Sequence, residues 1–427
     1  MVKLKTEFSA RNLTIFGGYS NIFSFFTKSN VFEKLDRFIS FTKRKKIYDK
    51  RDYFKLILSM LVCGFRNMNQ VSLFQSDRPI QSILDLDTIP HVSNIARFLK
   101  RFTFKSCQQI VDVKRELFKK FHHKAFTLKR VTIDIDTTVL NLWGCPEGAG
   151  KGYNPVKRGN LSYHPMIAFI YETKEVLHGV LKPGDTHCVN GAVEFLEELK
   201  TMLPYGLRDI IVRTDSGLFS QKVLTSLETK KWRYIVAVKN YAPVLARVAD
   251  IPDCAYRPYD EVSEVAVFHF RMGAWKKKRK FIVQRIRKSC AHLQEDLFGY
   301  VPYEYRIFVT TLAGDPAHLI DFYHKRGTAE NYIKELKYDL HIGKLITNSF
   351  WANQAIFQLT LLCYNMLVWF KNIFIGKAER QTTIQTFRER YLLIPGKLVN
   401  HARRFILKLP RDYRYKETYK AIELQLA

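Results

Sequence analysis

The chain has 427 residues, with 69 Lys and Arg against 40 Asp and Glu, a net charge of +29 at pH 7. Its apolar fraction of 47%, including 14% aromatics, excludes a disordered protein, and its length exceeds one ordinary domain. A charge this far from zero points to a polyanionic partner, most simply nucleic acid. Seven cysteines (63, 107, 145, 188, 254, 290 and 363) are scattered without a CxxC pair. That pattern excludes a zinc ribbon or a disulfide framework and fits a reducing, cytoplasmic setting. The N-terminus lacks the apolar run of a signal peptide. The longest apolar stretch, Ile356 to Phe370, contains Gln358, Tyr364 and Asn365. It reads as a buried helix, so no membrane span is expected.

In chain order, residues 1–128 predict a helical, basic DNA-binding region. Residues 1–130 hold 26 Lys and Arg against 10 Asp and Glu, more than half the excess charge in under a third of the chain. The KRKK run at 43–46 leads into an apolar helix from Asp52. After a loop from Pro79 to Pro90, Ser93 is expected to cap a short helix. It would carry Arg97, Lys100 and Arg101 on one side and Ile95, Phe98 and Phe102 on the other. A helix-turn-helix-like element meeting DNA phosphates and an ordinary amphipathic helix both fit this pattern.

From Arg130 the period becomes two. Arg130 to Leu140 predicts a strand that sends Asp134 and Asp136 to one face. Five glycines between Gly144 and Gly159 mark turns. Strands are expected at His164–Tyr171 and Glu175–Leu181, and a Pro-Gly turn at 183–184. A helix over Gly191–Met202 and a strand from Asp209 ending at Asp215 follow. A helix over Phe219–Lys230 and a strand over Tyr234–Val238 complete the run. Three strands, then helix, strand, helix, strand is the plan of an RNase H-like mixed sheet, an α/β fold. That plan places one acidic residue mid-way along the first strand and another at the end of the fourth. The catalytic core is therefore expected over 129–240. A β-rich insertion over 241–312 carries the basic turn Lys276-Lys-Lys-Arg-Lys280. The core resumes over 313–345 and a helical C-terminal region occupies 346–427.

The stretch Tyr323 to Lys337 predicts a helix in which Tyr323, Arg326, Glu330 and Lys337 share a stripe within about 60°. A solvated, salt-bridged face reads the same way. Two strand-borne aspartates and this glutamate make a carboxylate cluster that would repel itself without cations. Hard oxygen donors suit Mg²⁺ or Mn²⁺, and a pair of such ions serves in-line phosphodiester displacement.

At these residues the sequence resembles IS4-type DDE transposases in their IS1380-like branch. The spacing Tyr323-x2-Arg326-x3-Glu330-x6-Lys337 fits that group's Y-R-E-K signature without a gap. Asp136-Thr137-Thr138 resembles its first-aspartate motif, and Val212 to Gly217 its second-aspartate strand. The resemblance covers about 130–345. It implies that Asp136, Asp215 and Glu330 ligate two divalent ions. It implies too that Arg326, Tyr323 and Lys337 contact transposon-end DNA. Terminal inverted repeats would be cleaved and the ends joined to target DNA, by a homodimer that pairs two ends of a bacterial element. In relatives an insertion-domain tryptophan holds a flipped base, which makes Trp275 and Trp232 candidates.

Other patterns are weaker. Asp134 shares the face of Asp136 and rivals it; Thr137-Thr138 favours Asp136. Gly148-Ala-Gly-Lys-Gly152 lacks the residues of a phosphate loop. His122-His123, Asp185 with His187-Cys188, and Cys145 read as structural or surface residues. A structure-specific nuclease on the same fold and a non-catalytic DNA-binding protein remain alternatives.

Overall fold

The computed structural model describes residues 4–41, 47–125, 129–154, 157–203, 207, 209–273, 275–288, 303–377, 379–402 and 404–427. The basic run 43–46, Cys290 and the His123 side chain lie outside what is described. In chain order the strands are β1 (Leu13–Thr14), β2 (Arg130–Thr137), β3 (Leu140–Asn141), β4 (Ser162–Tyr163), β5 (Met166–Ile170), β6 (Val176–Val180) and β7 (Asp209–Thr214). They continue as β8 (Arg233–Val238), β9 (Arg257–Pro258), β10 (Ser263–Phe270), β11 (Arg279–Arg287), β12 (Tyr303–Thr310), β13 (Gly396–His401) and β14 (Arg404–Lys408). The chain packs as two units. One comprises Met1–Thr127, Leu140–Ala149 and Ile333–Ala427, the other Leu128–Val139 and Gly150–Tyr332.

The second unit is built on a nine-stranded sheet of order β6-β5-β2-β7-β8-β12-β11-β10-β9. β2, β7 and β8 run parallel, and every other named neighbour pairs antiparallel. β2 reads RVTIDIDT and is buried from Val131 to Ile135, so its β-branched residues are covered on both faces, as parallel strands require. On one face Ile135 and Val212 meet Phe195, Leu196, Val223 and Leu227, from the helices Ala192–Met202 and Gln221–Thr229, around a small cavity. On the other, Ile211, Ile235, Ile282 and Phe308 pack with Leu319 and Ile320 of the helix Pro316–His324. Full burial of a side chain such as Ile320 contributes roughly 2 kcal/mol. The strands expected as a β-rich insertion thus extend the same sheet, because β12 pairs with β8 through Ile307↔Val238 to Thr310↔Ile235.

Two expectations for this unit are corrected. Asp136 is the seventh of the eight residues of β2, near its end and not mid-strand. The stretch from Tyr323 is not one regular helix. Asp315 caps Pro316–His324 by accepting from His318 N at 3.2 Å, with Pro316 in the first turn. At its end Arg326 N, Thr328 N and Ala329 N turn to carbonyls three residues back, those of Tyr323, Lys325 and Arg326. This tight turn ends one helix and starts another, Gly327–Lys334, which passes into a π turn over Glu335–Asp339. A uniform 100° step therefore does not hold over 323–337.

Gly150 and Gly152 serve close backbone approach. A Cβ at Gly152 would lie 2.0 Å from Gly184 O, and one at Gly184 would lie 2.0 Å from Ser162 O.

The first unit is mainly helical. Its two longest helices, Phe104–Ala125 and Phe350–Phe374, run side by side in the same direction. Cys107 Sγ approaches Trp351 O at 3.3 Å, Lys114 Nζ donates to Gln358 at 3.0 Å, and Phe121 stacks on Trp369 at 5.1 Å. Among the described residues, no helix is long and apolar enough to cross a membrane. The expected helix after Pro90 spans Val92–Leu99, but its cap is His91, whose Nδ1 accepts from Ser93 N. The tail is not wholly helical either. β13 and β14 form a hairpin that pairs with β1 in a small sheet. Its alternation is short and interrupted by a turn at Ala402, which hid it in a basic segment.

Candidate active site

Asp136 and Asp215 lie at the carboxyl ends of neighbouring parallel strands. The register runs through Ile135↔Thr214, so the two aspartates occupy the next step along adjacent strands. In open α/β sheets this is the end where ligands bind. Local hydrogen bonds orient both side chains. Asp136 Oδ1 accepts from Thr137 N at 2.9 Å, and Asp215 Oδ1 accepts from Gly217 N at 3.0 Å as it caps a single 3₁₀ turn.

Arg326 faces Asp136, with Nη1 3.3 Å from Oδ2. This is an ion pair without hydrogen-bond alignment, and Arg326 Nε and Nη1 are buried with no hydrogen-bond partner. Burial pushes the Asp136 carboxyl up to about 6; Arg326 opposes the rise, while Asp215 and Glu330 reinforce it. Burial works against the Arg326 charge, but Tyr323, Asp136 and Asp215 outweigh it and hold the guanidinium well protonated. Tyr323, packed on Phe308 at 4.7 Å, has its phenol pushed up, chiefly by burial. It stays a neutral hydroxyl.

Glu330 is exposed, in the first turn of Gly327–Lys334, where a negative charge suits the helix dipole. The three carboxylates therefore share one electrostatic neighbourhood. They do not form the closed cluster expected from the sequence. Among the described residues, no three His, Cys, Asp or Glu side chains stand close enough to hold a metal ion. Arg326 supplies the counter-charge at Asp136, and Glu330 faces solvent.

Asp134 and Asp136 part company. Asp134 is fully buried and accepts two hydrogen bonds from Arg213, at 2.7 Å from Nε and 2.8 Å from Nη2. Both of its oxygens are engaged by Arg213. Arg213 is the residue that sequence reasoning missed. The alternation Asp134-x-Asp136 against Arg213-x-Asp215 held the signal, since it places all four on one face.

The remaining predicted residues lie elsewhere. Lys337 is half-buried in the π turn of the first unit. Arg97, Lys100 and Arg101 are exposed beside buried Ile95, Phe98 and Phe102, as the pattern predicted. Trp232 is a core residue, 6% exposed. Trp275 is half-buried, 5.3 Å from Phe219 and beneath Arg279 at 4.9 Å. His122 is buried against Phe118.

The side chains are hard oxygen donors of the kind a divalent cation takes, two oriented carboxylates at adjacent strand ends and a third on the helix Gly327–Lys334, but the three do not converge in this structure. No curated protein matches the sequence. Among solved structures, the piggyBac transposase synaptic complex with hairpin DNA is similar over 90% of this chain and 82% of that one, at 13% identity and a TM-score of 0.48. The Mos1 transposase paired-end complex with left transposon end matches 46% of this chain and 60% of that one, at 15% identity and a TM-score of 0.18. Likenesses this distant carry no conclusion about chemistry. The model of the family described as transposase DDE domain group 1, by contrast, matches residues 2–427. The chain therefore belongs to the DDE transposase family.

Proposed function

We propose that this protein is a cut-and-paste transposase of the IS4 type, with an RNase H-like core, and that Asp136, Asp215 and Glu330 are its catalytic carboxylates. One observation carries the assignment: Asp136 stands next to Asp215 across parallel strands at the carboxyl end of the sheet, where burial raises its carboxyl, Arg326 opposes the rise, and Asp215 and Glu330 add to it. Asp136, Asp215 and Glu330 would hold two Mg²⁺ or Mn²⁺ ions. Bound there, the ions would activate a water or a 3′-hydroxyl and stabilise the leaving oxygen of an in-line displacement.

The chain's own groups do the rest. Arg326, buried beside the carboxylates with Nε and Nη1 lacking hydrogen-bond partners, would turn outward to take a phosphate oxygen of the transposon end. The neutral Tyr323 hydroxyl donates to the same backbone. Arg97, Lys100, Arg101 and Lys337 hold flanking phosphates. The substrates are double-stranded terminal inverted repeats and target DNA, and a homodimer pairs the two ends.

The test is cleavage of a duplex bearing one element end in Mg²⁺. Asp136→Asn is expected to abolish cleavage and leave end binding intact; full cutting by that variant overturns the assignment. A plasmid in the same reaction separates the alternative. Joined product is expected, and cleavage without joining favours a structure-specific nuclease.

A further inference from the structure

We propose that Arg213 and Asp134 form a positioning strut that sets the three carboxylate-bearing elements in register. The inference rests on the catalytic assignment above. Three contacts of one side chain carry it. Arg213 lies on β7, two residues before Asp215, and Asp134 on β2, two residues before Asp136; they are directly opposed in the parallel register. The pair is bidentate, at 2.7 and 2.8 Å, and both side chains are 0% exposed. The third contact runs to the other layer, where Arg213 Nη1 donates to Phe322 O at 2.5 Å. The guanidinium also lies 4.5 Å from the Tyr171 ring and 4.7 Å from that of Phe322.

Phe322 O is a carbonyl in the last turn of Pro316–His324. Arg326 N, its natural partner four residues on, has turned to Tyr323 O. A cation at this helix end satisfies the orphan carbonyl and suits the dipole. The next residues are Tyr323, Arg326 and Glu330. One guanidinium thus ties the strand of Asp136, the strand of Asp215 and the helix end that leads to Glu330. Arg suits the task because its planar fork binds a carboxylate with one edge and leaves an N–H for a carbonyl. The single ammonium of lysine cannot do both in fixed geometry. A buried pair is weak evidence of stabilisation in itself, since apolar replacement of both partners is often neutral. Its use here is registry.

The test therefore removes the pair without stranding a charge. Asp134→Leu/Arg213→Met is expected to unfold near the wild-type temperature and to bind end DNA within about twofold. Its cleavage rate is expected to fall about 10–100-fold, and the Mn²⁺ concentration for half-maximal binding, read by electron paramagnetic resonance without DNA, to rise about tenfold. Arg213→Lys, which keeps the buried charge and loses the fork, is expected to shift Mn²⁺ binding in the same direction. Wild-type cleavage and Mn²⁺ binding in either folded variant overturns the strut. Should Asp136→Asn cleave fully, the catalytic assignment falls instead. A dead Asp136→Asn beside a wild-type double variant removes the strut alone.

Discussion

The buried stretch and the open end of β2 carry the same chemistry in two states. At Asp134 the carboxylate meets Arg213 twice, with no exposure and both oxygens engaged. At Asp136, one alternation later, Arg326 approaches once at 3.3 Å with two of its nitrogens lacking hydrogen-bond partners, and Asp215 and Glu330 add to the rise that burial gives the carboxyl. The first pair is complete and holds architecture together. The second has bonding capacity left over, which is what a site needs if phosphate and cations are to enter. Residue type does not separate the two; the strand end does, because beyond Thr137 the sheet no longer covers the carboxylate.

The comparison can be broken most forcefully at Asp136. Its replacement by Ala should lower the cleavage rate at least about 10³-fold in a full-length protein that still shifts an end duplex on a gel. Nearly full activity would make the open pair as architectural as the buried one. Next is Arg213→Met alone, which leaves the Asp134 charge buried without a partner. A loss of about 3–5 kcal/mol in denaturant unfolding is expected, whereas Arg326→Met, which removes a single 3.3 Å contact, should cost less. Equal losses would erase the distinction.

The pH response sharpens it further. The Asp136 carboxyl is raised in the folded protein, so its favourable contribution is fully present below the unfolded carboxylate range and is lost as pH rises through about 6. In divalent-free buffer at pH 7.5, Asp136→Asn should therefore stabilise the protein by about 1–2 kcal/mol, with the gain fading toward pH 4. Destabilisation at pH 7.5 would show that Arg326 already neutralises the site. Proton and cation compete for the same oxygens, so the Mg²⁺ needed for half-maximal cleavage should rise as pH falls below 6. The smallest effect is expected far from both pairs. Changing the exposed Arg97, Lys100 and Arg101 to Ala should reduce the salt slope of DNA binding by up to about 3 without altering cleavage at saturating DNA. An unchanged slope would read that helix as ordinary amphipathic surface.

Much was legible in the sequence for local reasons. Alternation in RVTIDIDT located β2, and Pro316 after Asp315 located a helix start, because strand period and cap chemistry are properties of a few neighbouring residues. The Y-R-E-K spacing and the two aspartates pointed to a DDE transposase, and the match over 2–427 bears out the family. The tight turn at 325–329 and the π turn at 335–339 were not legible, since hydrogen-bond partners three or five residues back leave no mark on composition.

Tertiary structure alone decided which aspartate was which. Asp134 and Asp136 share a strand, a face and a residue type, and only the neighbouring strand separates them. It sets Arg213 opposite one and the free end of the sheet beside the other. The sequence determined that carboxylates would line this face; long-range pairing determined which of them kept its oxygens available. A side chain's partner across a sheet lies 79 residues away in the chain, beyond the reach of any local periodicity.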